Sequence, residues 1–180
     1  MDITIRRGTA DDSGAVAELH ALSWRTTYTG IVPARALGDG LIAERHEVWA
    51  LRLAVDYGEP ANTPELLIAE QAGSAVGFAY VVPQPDGRVL IDNLHVRPDR
   101  TGGGIGRALL DAVRLHVAER HPGADLYLEV LRDNTRAVAF YEREGGHRTA
   151  EQEGVFPGGY VLPEYEYTWP AATLTVGSRR

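Results

Sequence analysis

Between Glu65 and Leu110 the chain has little freedom of fold. Three apolar runs, Glu65 to Glu70, Ala75 to Val82 and Arg88 to Val96, follow one another with only QAGS and PQPDG between them. Those linkers carry the Gly, Pro and Asp of tight turns and are too short for helical crossovers, so the runs form an antiparallel meander. Pro98 and Asp99 end the third run. RTGGGIGRALL, Arg100 to Leu110, then sets Gly102, Gly103, Gly104 and Gly106 at the start of an amphipathic pattern. Ile105, Leu109, Ala112 and Val113 recur at i, i+4, i+7 and i+8, a helix reaching about Arg120. Opening a helix on bare backbone costs extra conformational entropy. It also exposes unpaired N–H groups at the positive end of the helix dipole, where an anion can approach closely. Arg100 and Arg107 flank the loop and can add charge-assisted bonds to phosphate. The alternative is a flexible turn with close helix packing.

The flanking segments extend the pattern. Ile3 to Arg7 alternates as a strand. Asp11 and Asp12 are N-cap candidates for a helix carrying Ala15, Val16, Leu19 and Leu22, broken by the β-branched, Gly and Pro residues of Trp24 to Pro33. A second helix is expected near Leu41 to Val55, then a loop from Gly58 to Pro64. After the glycine-opened helix, Asp125 to Val130 is a strand. A helix capped by Asp133 or Asn134 runs to about Glu144. Two aromatic-rich strands, His147 to Phe156 and Tyr160 to Trp169, close the unit. The order β-α-α-β-β-β-α-β-α-β-β predicts an α/β fold with a mixed, mostly antiparallel central sheet flanked by helices. It forms one domain over 1–170 with a frayed tail over 171–180. GxGxxG does not fit the loop, since the third glycine position falls on Leu109 counted from Gly104 and on Arg107 counted from Gly102.

Composition closes several routes. The chain has no cysteine, so disulfides, thiolate metal sites and cysteine nucleophiles are excluded, and no metal-ligand set is expected. All 18 basic residues are arginine, which removes a Walker-type phosphate loop and a Schiff-base lysine. A net charge of −7 disfavours nucleic acid and favours a cationic partner. No apolar run approaches the roughly 20 residues that span a bilayer, and the start lacks the apolar core of a signal peptide. A cytoplasmic protein with no membrane partner is expected.

Two further stretches carry a resemblance. Leu94-His-Val-Arg-Pro-Asp-Arg-Thr-Gly-Gly-Gly-Ile-Gly-Arg-Ala-Leu-Leu110 resembles the strand, proline turn, (Gln/Arg)-x-x-Gly-x-(Gly/Ala) loop and helix of the GNAT superfamily of acyl-CoA N-acyltransferases. Leu128-Glu-Val-Leu-Arg-Asp-Asn134 and Ala137-Val-Ala-Phe-Tyr-Glu-Arg-Glu-Gly145 resemble its LEV-x-x-x-N-x-x-A-x-x-x-YE-x-x-G segment. The likeness is close over about residues 65–148 and loose over the first strand and helix. The sequence departs from the pattern in three places. Thr101 stands at the Gln/Arg position, so Arg100 or Arg107 is expected to take over a phosphate contact. Gly146 stands where an aromatic is common, removing a packing contact. Leu90 stands where histone-acetylating members carry a basic Glu.

The resemblance implies acetyl-CoA as cosubstrate and direct acetyl transfer to an amine, either a small molecule or a peptide N-terminus. It implies that the fourth and fifth strands splay to admit the cofactor. Leu94 and Val96 would line its arm through backbone groups, and Arg100, Thr101, Gly102, Gly103, Gly104, Ile105, Gly106 and Arg107 would cradle its pyrophosphate. Asn134 would bond the arm, or simply cap a helix. Tyr141 would protonate the leaving thiolate, or simply fill the core beside Phe140. Glu129 is the first candidate for general base and Asp92 the second, against a solvated strand-face carboxylate for either; Glu70 and His95 are weaker. Trp24, Tyr28, Tyr160 and Tyr165 are aromatic candidates for the acceptor site, and Asp39 and Glu164 could attract a cation there. A homodimer through the final strands is a further expectation. The competing reading is a noncatalytic acyl-CoA-binding or regulatory domain on the same fold.

Overall fold

A computed structural model describes residues 2–174. The predicted order holds, with β1 (Thr4–Arg7), α1 (Ser13–Tyr28), α2 (Leu41–Ala54), β2 (Glu65–Gln71), β3 (Ser74–Pro83), β4 (Val89–Val96), α3 (Ile105–Arg120), β5 (Leu126–Leu131), α4 (Thr135–Arg143), β6 (His147–Phe156) and β7 (Tyr160–Trp169). The strands form one sheet in the order β1-β2-β3-β4-β5-β7-β6. Every neighbouring pair is antiparallel except β4–β5, which is parallel.

Strand alternation divides the core between the two faces of the sheet. Leu66, Ile68, Phe78 and Tyr80 point to one side, where Val16 and Leu19 of α1 and Trp49 of α2 cover them. Leu67, Ala69, Ala79 and Val81 point to the other, under Ile105, Leu109 and Val113 of α3 and Tyr141 of α4. The meander is thus buried on both sides, which explains why its strands read as nearly continuous apolar runs.

Three local expectations are corrected. First, α1 does not break at Trp24 but continues to Tyr28. Thr26 keeps its helical place by donating its hydroxyl to the Leu22 carbonyl at 3.0 Å, and Trp24 and Tyr28, one turn apart, pack edge to face at 4.9 Å. Second, Asp11 and Asp12 lie in a short 3-10 turn and neither side chain caps α1. The Asp12 carboxylate instead accepts from Arg6 and from the Thr9 N–H. Third, residues 171–174 of the expected tail are anchored. Ala171 N–H donates to Asp125 at 2.8 Å, and Leu174 is inserted into the core at 2% exposure. The remainder of that tail, 175–180, lies outside the described residues.

Gly146 fills its role differently from the resemblance. A Cβ there would sit 2.8 Å from the Trp169 ring and 3.0 Å from the Tyr141 carbonyl. The indole of β7 occupies the space that an aromatic at 146 would fill.

Candidate active site

β4 and β5 pair at only two positions, Val89 with Leu126 and Leu90 with Tyr127. Beyond them the strands separate, and the gap opens into a cavity of about 630 Å³. Leu94 and Val96 of β4 and Leu128 and Val130 of β5 form its walls, and the glycine loop and α4 form its far end. Gly102 and Gly104 hold φ of +86° and +81°, a left-handed backbone that other residues adopt only under strain. Gly104 is the N-cap of α3, and no side chain caps that helix. Its first-turn N–H groups therefore face the loop with the dipole behind them, the arrangement that binds anions. Gly102, Gly104, Ile105 and Gly106 line the cavity, whereas Gly103 does not.

The side chains add charge. Thr101 is exposed and donates its hydroxyl to the Pro98 carbonyl at 3.1 Å, so it shapes the loop. Arg100 and Arg107 line the cavity and are half exposed; Arg107 lies 3.8 Å from Asp111 and from Glu144. Arg136 and Arg143 join them from α4. These two were missed in the sequence, although with Phe140 they fall at i, i+4 and i+7 on the helix that bears Tyr141. Four arginines converge here in a chain of net charge −7.

Tyr141 is 8% exposed and belongs at once to the core and to the cavity wall, against Phe140, Tyr167 and Trp169. Burial, reinforced by Tyr28, raises its hydroxyl pKa well above the ordinary phenol value, so it stays a proton donor. Asn134 caps α4, its side-chain oxygen accepting from Ala137 N–H at 3.3 Å. Burial pushes Tyr28 up to about 12.

A second cavity of about 230 Å³ adjoins the first. Tyr28, Ile91, Asp92, Asn93, His95 and Glu129 line both, forming a common wall. Trp24, Leu90, Leu131, Phe156 and Glu164 complete the smaller one. Tyr160 lines neither cavity; it stacks on Phe156 with centroids 5.3 Å apart and takes Arg35 over its ring. Tyr165, Asp39 and Glu70 also lie outside both cavities.

The carboxylates differ in what holds them. The β3–β4 register skips Asp92, a bulge of the kind that re-aims a side chain. Asp92 accepts from Arg52 and from the Asn93 amide, each at 2.6 Å. Glu129 is exposed on β5 and accepts from the Gln152 amide at 2.7 Å. His95 is paired with Ser23 at 3.0 Å and packed 4.7 Å from His20. Burial and Arg45 push His95 down to about 3, so the wall there is polar and uncharged.

A split sheet, an uncapped glycine-opened helix ringed by arginine, and a smaller cavity lined by three carboxylates meet at one wall. Known proteins share this architecture. Residues 16–146 match the family model described as Acetyltransferase (GNAT) family. The chain belongs to that family. It is 42% identical over 111 residues to a mycothiol acetyltransferase of Propionibacterium freudenreichii subsp. shermanii, which covers 59% of this chain and 34% of that protein. The chain thus spans about a third of that relative's length. A protein of Mycobacterium tuberculosis named probable N-acetyltransferase is 31% identical over 153 residues, covering 81% of this chain and 80% of the other. The N-acetyltransferase PaiA of Thermoplasma acidophilum, solved in complex with coenzyme A, shares the fold with a TM-score of 0.72 at 19% identity, over 94% of this chain and 99% of that one.

Proposed function

We propose that the chain transfers an acetyl group from acetyl-CoA to the amine of a small cationic acceptor, by direct attack in a ternary complex. One observation carries the reading: an anion-binding slot and an acidic cavity meet at a single wall, so two substrates of opposite charge are brought end to end. The glycine turn with Arg100, Arg107, Arg136 and Arg143 receives the pyrophosphate. The separated edge of β4 at Leu94 and Val96 receives the arm, because a strand without a neighbour has backbone N–H and C=O groups to offer. The thioester then lies near the shared wall, and the acceptor enters between Trp24, Tyr28 and Phe156. Asn134 acts by capping α4, the helix that carries Tyr141.

The chemistry follows from that placement. The acceptor loses one proton to a carboxylate and attacks the thioester carbon as a free amine. A C–N bond forms and the C–S bond breaks. The second nitrogen proton is lost to water in the cavity as the amide forms, and the thiolate, leaving within a hydrogen bond from Tyr141, takes its proton from water. A phenol with a raised pKa is a weaker acid than a thiol of about 8.5, so Tyr141 stabilises the departing sulfur mainly as a hydrogen-bond donor. A cytoplasmic location and pairing of two copies along β6, an edge strand of the sheet, belong to the same reading.

The test is direct. Acetyl-CoA is mixed with the protein and a panel of primary amines (putrescine, tryptamine, glucosamine and a short peptide amide), and free thiol is followed. Amine-dependent thiol release is expected. Tight acetyl-CoA binding with no release for any amine would return the chain to the noncatalytic alternative.

A further inference from the structure

The carboxylate with the most unusual setting is Glu164 of β7, which sequence reasoning placed only among cation attractors. It is 9% exposed and lines the smaller cavity. Leu131 is its register partner on β5 and Gln152 on β6, so on the pleated sheet it shares a face with Glu129, one diagonal step away. The chain makes room for it. A Cβ at Gly154 would press on the Glu164 carboxylate, the movable end of that side chain, so glycine on β6 lets the group stay in its present place and a larger residue would displace it. Asp92 has Arg52, and Glu129 has Gln152. Among the described residues, no hydrogen-bond donor or cation rests on the Glu164 carboxylate. Its oxygens are not sealed off, since they are not among the buried atoms left without a partner. An acid beside a second acid, between aromatic walls and open to the cavity, is placed to receive a cation.

We infer that Glu164, in place of Glu129 or Asp92, takes the proton from the acceptor ammonium. The inference rests on the acetyltransferase reading. In the step, the ammonium N–H bond breaks, the proton joins a Glu164 oxygen, and the nitrogen keeps the electron pair with which it attacks the thioester. The proton leaves to water through the cavity mouth after acetyl transfer. The groups facing Glu164 suit the task. Glu129 on β5 repels its negative charge, Tyr28 on α1 is held neutral, and Asp92 on β4 is compensated by Arg52. Burial first, and Glu129 second, push Glu164 up to about 6. A base of that strength is ionised at neutral pH and still accepts a proton readily.

The test is a pH–rate profile with whichever amine of the panel the wild-type protein turns over. For the wild type, kcat/KM is expected to rise with pH through a limb near 6. Glu164→Gln should lower kcat by about 10²-fold or more and abolish that limb. Gly154→Ala, which displaces the carboxylate without removing it, should lower kcat in the same direction. Glu129→Gln should move the limb to lower pH, because a neighbouring negative charge is gone. Two results overturn the assignment: a limb unchanged in Glu164→Gln, or a rise in KM alone with kcat intact, which leaves Glu164 as an ammonium anchor only. If the wild type releases thiol with no amine, it is the acetyltransferase reading that falls, and the assignment with it.

Discussion

The two cavities share a wall and differ in almost everything else. The larger is backbone-built: its recognition elements are helix N–H groups, strand edges and a left-handed glycine turn, with arginines at the rim. The smaller is side-chain-built, from three aromatics and three carboxylates contributed by α1, β4, β5, β6 and β7. A backbone site recognises what is common to a class of ligand, here an anion on an extended arm. A side-chain site is set by the few residues that reach it and is rebuilt when they change. The cosubstrate is therefore read at the level of the fold, and the acceptor at the level of this particular chain.

The sharpest break of that comparison falls inside the larger cavity. Tyr141→Phe removes a hydroxyl from its wall and nothing from the glycine turn or the arginines. Its kcat should fall about 10²-fold or more, while acetyl-CoA affinity stays within about twofold. Stopped-flow thiol release and equilibrium titration separate the two quantities. Unchanged turnover would leave Tyr141 as a core residue only.

The histidine at that wall and the one packed behind it predict a pH dependence of stability. His20 is buried and His95 half-buried, and loss of solvation lowers both below the ordinary value of 6.5. Below that pH the unfolded chain binds protons that the folded chain refuses, so stability is fully present above about 6.5 and is lost as pH falls. The slope is about 1.4 kcal/mol per pH unit for each histidine. Glu164 works in the opposite sense, since its folded pKa is raised from 4.5 to about 6 and the folded chain binds its proton first. It offsets part of one histidine's slope between those values. Urea unfolding at pH 7.5, 6.5 and 5.5 should therefore show midpoints falling with pH, and His95→Gln should flatten the trend. A flat wild-type profile would mean that the histidines are hydrated.

What was legible in the sequence divides along the same line. The glycine loop, the meander and the α4 segment are local patterns, and a backbone-built site follows from local pattern. The β4–β5 gap was expected from resemblance, and the register shows it as two paired positions and no more. The acidic cavity was not legible in the same way. Glu164 and Phe156 lie far from Trp24 in sequence, and only the β5–β7–β6 register brings them together. Gly154 gave no signal at all, because its importance lies in the volume of another strand's side chain. Tyr160 was named for its type, and a stack on Phe156 keeps it outside the cavity that Phe156 lines. The course of α1 past Trp24 was missed for a related reason: the Thr26 hydroxyl bond to Leu22 and the Trp24–Tyr28 ring contact hold the last turn against the weak helix preference of Thr26 and Thr27.

The anion end can be sharpened by separating rim from helix. Arg100→Ala with Arg107→Ala removes the loop's own cations, and Arg136→Ala with Arg143→Ala removes those of α4. All four side chains are at the cavity edge, where water and salt screen charge. Each pair should weaken acetyl-CoA binding about tenfold at low salt and less at 0.5 M. Isothermal titration at two ionic strengths measures this directly. Equal affinity in the Arg100/Arg107 double variant would show that Thr101 needs no substitute and that the helix N–H groups suffice.

The smallest effect belongs to Asn134, a residue of the larger cavity that belongs to the chemistry of neither. Its oxygen caps α4 through Ala137 N–H, and its side chain lines the same cavity as Tyr28, whose pKa it lowers against the larger effect of burial. Asn134→Ala loses a cap, about 1 kcal/mol, which lowers Tm by about 2–4 °C for a chain of this size. Asn134→Asp keeps an oxygen for the cap and replaces the amide near Tyr28 with a charge. If the cap is the whole role, Asp restores both Tm and turnover. If the amide matters to Tyr28, Asp restores Tm while the KM for the amine stays raised, because Tyr28 has lost a neutral polar neighbour. Calorimetry and kinetics on the two variants therefore separate a helix cap from a positioning residue.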